Sequence, residues 1–115
     1  MKQFLLAASL LMFIGSQASA AFLNNRQEWN DATTLQKIGF VQGVFAELVT
    51  IWTTDSESIA TQKTKLNKCA VEMGLTSSSM VDIVDNHYDD LENWSQRANI
   101  ALRLGLLKVC KNFKE

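Results

Sequence analysis

Apolar side chains recur every three or four positions between residues 35 and 52. The stripe consists of Leu35, Ile38, Val41, Phe45, Leu48 and Trp52. This spacing places the whole set on one face of an α-helix and differs from the strict alternation of a half-buried β-strand. We therefore predict a long helix that begins at Asn30 or Asp31, both good N-cap residues, and runs to about Trp52.

Three further helices complete the predicted fold. The chain contains no proline, and the remaining apolar residues also recur at helical spacing. The predicted elements after the first helix are a polar loop over 53–61, a second helix over about 62–73, a third from Thr76 to about Leu91, and a fourth from Asn93 to about Asn112. Gly74 is expected to end the second helix in the left-handed conformation. The fold class is all-α, a compact four-helix domain.

Residues 1–20 have the features of a secretory signal peptide. Lys2 supplies a positive start, an apolar run follows from Phe4 to Ile14, and Ala18-Ser19-Ala20 is a small-x-small cleavage site. The run of 11 residues is too short to cross a hydrocarbon core, which requires about 20. We therefore predict export to the periplasm, cleavage after Ala20, a single helical domain over 21–115, and no membrane association after cleavage.

The chain has two cysteines, Cys69 and Cys110. In an oxidising compartment an even pair in a small domain usually forms a disulfide. A bond across a loop of about 40 residues should stabilise the fold by roughly 4 kcal/mol on a chain-entropy treatment. It would link the predicted second helix to the last one. A catalytic thiolate needs a base beside it, and His87 is the only histidine, so the structural bond is the favoured interpretation.

Composition argues against several functional classes. The 11 Lys and Arg residues, one of them Lys2 in the predicted leader, face 12 Asp and Glu residues. The exported chain is therefore slightly acidic and lacks the basic run on which nucleic-acid binding depends. A lone histidine does not favour a zinc site, and His87 is better explained as a packed or hydrogen-bonded residue. No phosphate-binding glycine loop and no nucleophile with an adjacent base is recognisable. We expect no catalytic residues, no metal and no cofactor.

Two surfaces are candidates for contact with a protein partner. The first is the predicted polar loop, and the second is an acidic face of the predicted third helix. The tentative partner-binding residues are Thr53, Thr54, Asp55 and Glu57 in the loop and Asp82, Asp85 and Asp89 on the helix. Spacings of three and four place the three aspartates on one helix face. That face is either an ordinary solvated surface, which is favoured, or an acidic patch for a basic partner; a hard-cation site is the least favoured alternative.

Two glycines in the predicted first helix indicate a close packing contact. Gly39 and Gly43 lie one turn apart in the predicted first helix, where each costs about 1 kcal/mol relative to alanine. Close approach of another helix of this chain, or of a second copy in a homodimer, would offset that cost.

Trp29, Trp52 and Trp94 lie near predicted helix ends, and burial in the core is favoured over an interface role for them.

Several short motifs follow one another in a recognisable order. Gly39-Phe40-Val41-Gln42-Gly43-Val44 is similar to an aromatic-Val-x-Gly-Val stretch, and Cys69, Gly74-Leu75-Thr76, Ile83-Val84 with Tyr88, and Cys110 come after it. In this order the chain resembles the Rap/Tai-type immunity proteins of bacterial type VI secretion systems. The resemblance implies a small, helical, periplasmic protein, frequently dimeric. It also implies that the protein binds and blocks a secreted peptidoglycan-cleaving amidase.

A second class of exported helical proteins is the alternative. Small periplasmic acid-stress chaperones of the HdeA type are also close to this size and held by one disulfide, and they loosen at low pH to expose apolar surface. The acidic cluster would fit such a mechanism. Their first cysteine falls early in the chain, however, whereas Cys69 lies near the middle. We therefore favour a non-enzymatic immunity protein, with the chaperone as the alternative.

Overall fold

A computed structural model describes residues 23–112, which form five α-helices and a 3-10 turn, with no β-strand in that range. The helices are α1 (Arg26–Asp31), α2 (Thr34–Val49), α3 (Glu57–Glu72), α4 (Ser77–His87) and α5 (Ala98–Val109), and the 3-10 turn is Leu91–Asn93. The predicted all-α class is confirmed, but the predicted number of four helices is wrong. None of the helices in the described range has the length and apolar character to cross a membrane. The predicted signal peptide lies outside the described residues.

The predicted first helix corresponds to α2, which begins at Thr34 instead of Asn30 or Asp31 and ends at Val49 instead of Trp52, and the unpredicted helix α1 precedes it. Each of the two helices has its own N-terminal cap. The side chain of Asn25 accepts a hydrogen bond from the backbone N–H of Glu28 at 2.9 Å and starts α1. Thr33 and Gln36 then form a reciprocal capping box: each side-chain oxygen accepts from the other residue's backbone N–H, at 3.2 and 2.9 Å. Such a box satisfies N–H groups that would otherwise be orphaned, so α2 starts afresh after a short break.

The second correction concerns the start of α3, which lies inside the predicted polar loop. The hydroxyl of Ser56 accepts from the backbone N–H of Ile59 at 3.2 Å and caps the helix. The hydroxyls of Thr61 and Thr64 each donate to the carbonyl four residues earlier, at 2.9 Å. These bonds satisfy the threonine hydroxyls within the helix, so polar side chains can occupy its first turns. The loop between α2 and α3 therefore covers residues 50–56 instead of 53–61.

The turn between α3 and α4 agrees with the sequence. Gly74 has a φ of +65°, and the N–H of Leu75 donates to the carbonyl of Ala70 at 2.9 Å. This is the pattern of a left-handed helix end, which favours glycine. Thr76 caps α4 through a capping box with Ser79. Both predicted boundaries are confirmed.

The segment between α4 and α5 is longer than predicted because side chains tie it to the end of α4. The amide of Asn93 donates to the carbonyl of His87 at 2.8 Å, and the indole N–H of Trp94 donates to the carbonyl of Tyr88 at 2.9 Å. The phenol of Tyr88 donates to the carbonyl of Gln96 at 2.7 Å. Asn93 thus caps the carbonyl end of α4 and does not start α5.

The hydroxyl of Tyr88 stays protonated in this position. Burial desolvates the group and raises the pKa of Tyr88 to about 12, so the hydroxyl donates its hydrogen bond throughout the physiological pH range.

The core is built by apolar side chains from all five helices and the segments that flank them. Its buried members are Leu23, Trp29, Val41, Leu66, Met80, Val84, Tyr88, Ala98, Ala101, Leu102 and Leu106. The most extensive helix contact is between α4 and α5, and α2 lies against both, whereas α3 contacts mainly α2. At the α4–α5 contact a Cβ on Gly105 would overlap Cγ2 of Ile83 and lie 3.4 Å from its carbonyl oxygen.

The predicted disulfide between Cys69 and Cys110 is present, with their Cα atoms 6.0 Å apart and a sequence separation of 41. It joins α3 to the residue that follows α5. The predicted linkage was to the second of four helices, but the cysteine lies on the third of five. The bond therefore connects α3, whose main helix contact is with α2, to the end of α5, which belongs to the most extensive helix pair.

Candidate protein-interaction surface

The loop between α2 and α3, residues 50–56, is held by a hydrogen-bonded ion pair. The Nζ of Lys63 on α3 donates to Oδ2 of Asp55 at 2.7 Å and to the carbonyl of Thr50 at 2.8 Å. The backbone N–H of Trp52 donates to the same Oδ2 at 2.9 Å, and the N–H of Asp55 donates to the carbonyl of Trp52 at 3.0 Å. One carboxylate and one ammonium group thus fix both ends of the loop.

These bonds also set the ionisation of Asp55. The hydrogen bond from Lys63 is the main cause that lowers the pKa of Asp55 below its ordinary value of 3.8, and the backbone N–H of Trp52 adds to it, while desolvation acts in the opposite direction. Both donors favour the charged carboxylate. Asp55, predicted as a partner-binding residue, is therefore ionised at neutral pH and already engaged within its own loop.

The loop presents apolar side chains to solvent. Trp52 is 54% exposed, and its neighbours Ile51 and Ile59 are 53% and 45% exposed. The preferred core placement is correct for Trp29, which is fully buried, and wrong for Trp52. It is also wrong for Trp94, which is 42% exposed. Trp52 therefore presents a large apolar side chain to solvent from a backbone that hydrogen bonds already hold in place.

A groove lies beside Trp52, where α2, α3 and α5 meet the loop. It has a volume of about 410 Å³, and its apolar lining includes Trp52 of the loop, Ile59 of α3 and Leu107 of α5. Clefts that bind small ligands or bulky side chains have volumes of roughly 300–1,000 Å³. Glu47 on α2 and Arg103 on α5 also line the groove. The arrangement is a recess with apolar walls and ionic groups at its border.

The groove continues into an open apolar face of α5. Ile100, Leu104 and Leu107 are 36%, 39% and 48% exposed and follow the i, i+4, i+7 spacing of one helix face. The opposite face of α5 is buried in the core. A helix that is apolar on both sides usually has both sides covered. In the described part of the chain nothing covers the outer one.

The remaining loop candidates lie close to Trp52. Thr53 and Thr54 are exposed in the turn that follows it, and Glu57 is exposed at the first position of α3. The structure thus brings the four predicted loop residues together with an aromatic side chain that the sequence did not assign to the surface. Contact of these residues with a partner remains a prediction.

The acidic face of α4 has a different character. Asp82, Asp85 and Asp89 are all exposed, and Oδ1 of Asp85 also accepts a hydrogen bond from the indole N–H of Trp29 at 2.7 Å. Because Trp29 is fully buried, this bond satisfies a donor that has little access to water. Asp85 therefore holds α1 against α4. Among residues 23–112 no three His, Cys, Asp or Glu side chains are grouped so that they could hold a metal ion.

Gly39 and Gly43 are exposed, and a Cβ placed on either has no other part of the described chain within 4 Å. Intramolecular close packing of this face is therefore not found in residues 23–112. A homodimer contact there remains a prediction. The glycine at a close helix contact is Gly105, which sequence reasoning missed because its single occurrence among apolar residues carries no spacing signal.

His87 is half-buried and makes a hydrogen bond, as the sequence favoured. Its Nε2 lies 2.6 Å from Oε1 of Gln96. The ring also borders a cleft of about 230 Å³ that Asp90 and Lys108 line as well. The bond to Gln96 orients the imidazole in the segment between α4 and α5, and this accounts for its placement.

The chain matches no model of a known protein family, no curated protein and no solved structure in the comparisons made. The function is therefore inferred from the chain's own residues. Trp52, Arg103 and Leu107 line the groove, and sequence reasoning did not assign them to a binding surface. They come from a loop and from a distant helix, so no local spacing could have grouped them.

Proposed function

We propose that this protein binds a protein partner through the loop 50–56 and the adjoining groove. The observation that carries the proposal is the exposure of Trp52 on a loop fixed by Asp55 and Lys63. Tryptophan is among the residues most enriched at interaction hot spots. A loop already held in one conformation loses little entropy on binding, so more of the contact energy appears as affinity.

The partner we propose is a peptidoglycan-cleaving amidase effector of a type VI secretion system, which the protein inhibits in the periplasm as an immunity protein. The resemblance of the motifs around Gly39, Gly74 and the two cysteines to Rap/Tai-type proteins supports this assignment. The disulfide is compatible with an oxidising compartment, which is where such an amidase meets its substrate. An inhibitor needs a rigid framework with an exposed element, and the clamped loop has that form.

The test is inhibition of the purified amidase effector on isolated peptidoglycan. We expect one equivalent of oxidised protein to abolish cleavage, and Trp52→Ala to weaken binding by about 2 kcal/mol, a typical hot-spot loss. Leu35→Ala is the matched control, because Leu35 is 82% exposed on α2 and does not line the groove. Full amidase activity in the presence of excess folded protein would rule out the immunity function.

One observation favours the acid-stress chaperone as a second candidate. Carboxylates make two of the bonds that hold the fold, from Asp55 to Lys63 and from Asp85 to Trp29. The pKa of Asp55 is lowered by the hydrogen bond from Lys63, so protonation of Asp55 at low pH would weaken this bond and loosen the loop. If the protein protects an unfolding client at pH 3 but ignores the amidase at pH 7, the chaperone function replaces the immunity function.

A further inference from the structure

The lining of the groove beside Trp52 includes side chains of opposite charge. Glu47 lies on the α2 side and Arg103 on the α5 side, and both side chains are exposed. In the described part of the chain the single ion pair joins Lys63 to Asp55. The ammonium group of Lys63, which also lines the groove, is therefore engaged, whereas the guanidinium of Arg103 has no carboxylate partner among the described residues.

The helix that carries Arg103 and the residues that flank it have basic side chains and no acidic ones. The charged residues between positions 97 and 112 are Arg97, Arg103, Lys108 and Lys111, with no acidic residue among them. Exposed charges act over about 8 Å at physiological salt, so the α5 border of the groove attracts anions. The exposed apolar face of α5 begins at the same border. An apolar surface with a basic edge complements an apolar segment with an acidic neighbour.

We infer that the groove binds a bulky apolar side chain of a protein partner and that an acidic residue next to that side chain pairs with Arg103. Trp52 and Leu107 both contact the apolar group. The planar guanidinium can bind a carboxylate through two parallel hydrogen bonds. Glu47 on α2 repels a carboxylate, so the acidic residue of the partner lies nearer to Arg103 on α5.

The occupant is a protein segment and not a lipid surface. The site is a recess of about 410 Å³, and the apolar side chains of α5 beside it are more than half covered by the protein, whereas a membrane-binding helix buries a fully exposed apolar face in the interface. Glu47 at the border would also repel anionic headgroups. The inference rests on the proposed function in one respect, namely that the ligand is a protein; the acidic and apolar character of its segment comes from the groove itself.

Two peptides test the inference without the amidase. Both have eight residues and a central tryptophan, which is flanked by aspartates in one peptide and by lysines in the other. We expect the aspartate peptide to shift the NMR signals of Trp52, Ile59 and Leu107 in the oxidised protein, and the lysine peptide to bind at least tenfold more weakly. Arg103→Glu should reverse this preference. Lys68→Glu makes the same charge change on an exposed residue of α3 outside the groove and should preserve it.

Binding of the same variants to the amidase is the second test. We expect Arg103→Glu to weaken amidase binding about tenfold at low salt and less at high salt, because a border charge is screened. Equal shifts by both peptides, or unchanged amidase affinity in Arg103→Glu, would overturn the inference. A preserved peptide preference without any amidase binding would overturn the proposed function alone. Binding to vesicles of anionic lipid with no peptide shift would assign the groove to a membrane and overturn the inference.

Discussion

Three glycines lie in helix interiors, and their surroundings lead to opposite expectations for alanine. At Gly105 a Cβ would overlap Cγ2 of Ile83, a branched side chain with little freedom to move away. Overpacking of this kind costs about 1–3 kcal/mol, against a helix-propensity gain of about 1 kcal/mol. We expect Gly105→Ala to lower the free energy of unfolding by about 1 kcal/mol in urea denaturation.

Gly39 and Gly43 are the matched controls, because open space surrounds both. Gly39→Ala should raise the free energy of unfolding by about 0.5–1 kcal/mol, since alanine restricts the unfolded chain and favours the helix. If Gly105→Ala is as stable as Gly39→Ala, α4 and α5 are not in close contact at Ile83.

Sequence reasoning at the scale of single residues succeeded where one residue type has one main explanation. Gly74 and Thr76 were placed correctly because a left-handed helix end and a hydroxyl cap each depend on near neighbours. Asp85 was grouped with Asp82 and Asp89 by spacing alone, and its bond to Trp29 spans 56 residues. A bond of that range depends on how α1 folds back onto α4, which no local pattern encodes.

At the scale of elements, the loop 50–56 is the part whose structure depends most clearly on pH. The pKa of Asp55 is lowered, so its contribution to stability is complete above the unfolded value and is lost as the pH falls through the lower folded value. The backbone N–H of Trp52 donates to the titrating carboxylate. We expect the NMR shift of this amide to titrate with a midpoint below 3.8, the ordinary value for aspartate.

Lys63→Met isolates the cause of that shift. The hydrogen bond from Lys63 is the largest contribution that lowers the pKa of Asp55, so the midpoint should rise towards the ordinary value in the variant. The amide of Ile59 is the internal control, because it donates to the hydroxyl of Ser56, which does not titrate. A midpoint at or above 3.8 in the wild-type protein would contradict the stabilisation of the Asp55 carboxylate by Lys63.

Four of the five helices were predictable from apolar spacing, but α1 and several boundaries were not. The predicted first helix begins at Thr34 and not at Asn30 or Asp31, because Thr33 caps it through a box with Gln36. Ser56 starts α3 within a polar stretch that has no apolar period. The exposure of Trp52 follows from these boundaries, since α2 ends at Val49 and leaves the indole in the loop. Spacing placed Trp52 on the core stripe because it assumed that the helix continued.

At the scale of the whole molecule, the disulfide connects two of the three helices that line the groove. Ile59 lies on α3 and Leu107 on α5, and Cys69 and Cys110 join α3 to the end of α5. Because α3 otherwise contacts mainly α2, the covalent bond keeps it close to α5. The stability of the fold and the shape of the proposed binding site therefore depend on the same link.

The double variant Cys69→Ala/Cys110→Ala should lower the free energy of unfolding by roughly 4 kcal/mol on the chain-entropy treatment, a large share of the roughly 5–15 kcal/mol typical of a domain. Loss of the link should act first on α3, since regions with few contacts open locally. We therefore expect hydrogen exchange in the variant to accelerate more in α3 than in α4 and α5, and binding of the aspartate peptide to weaken. Wild-type protein treated with a reductant should behave like the variant. Uniform acceleration across all helices would mean that the disulfide stabilises the core as a whole and does not set the width of the groove.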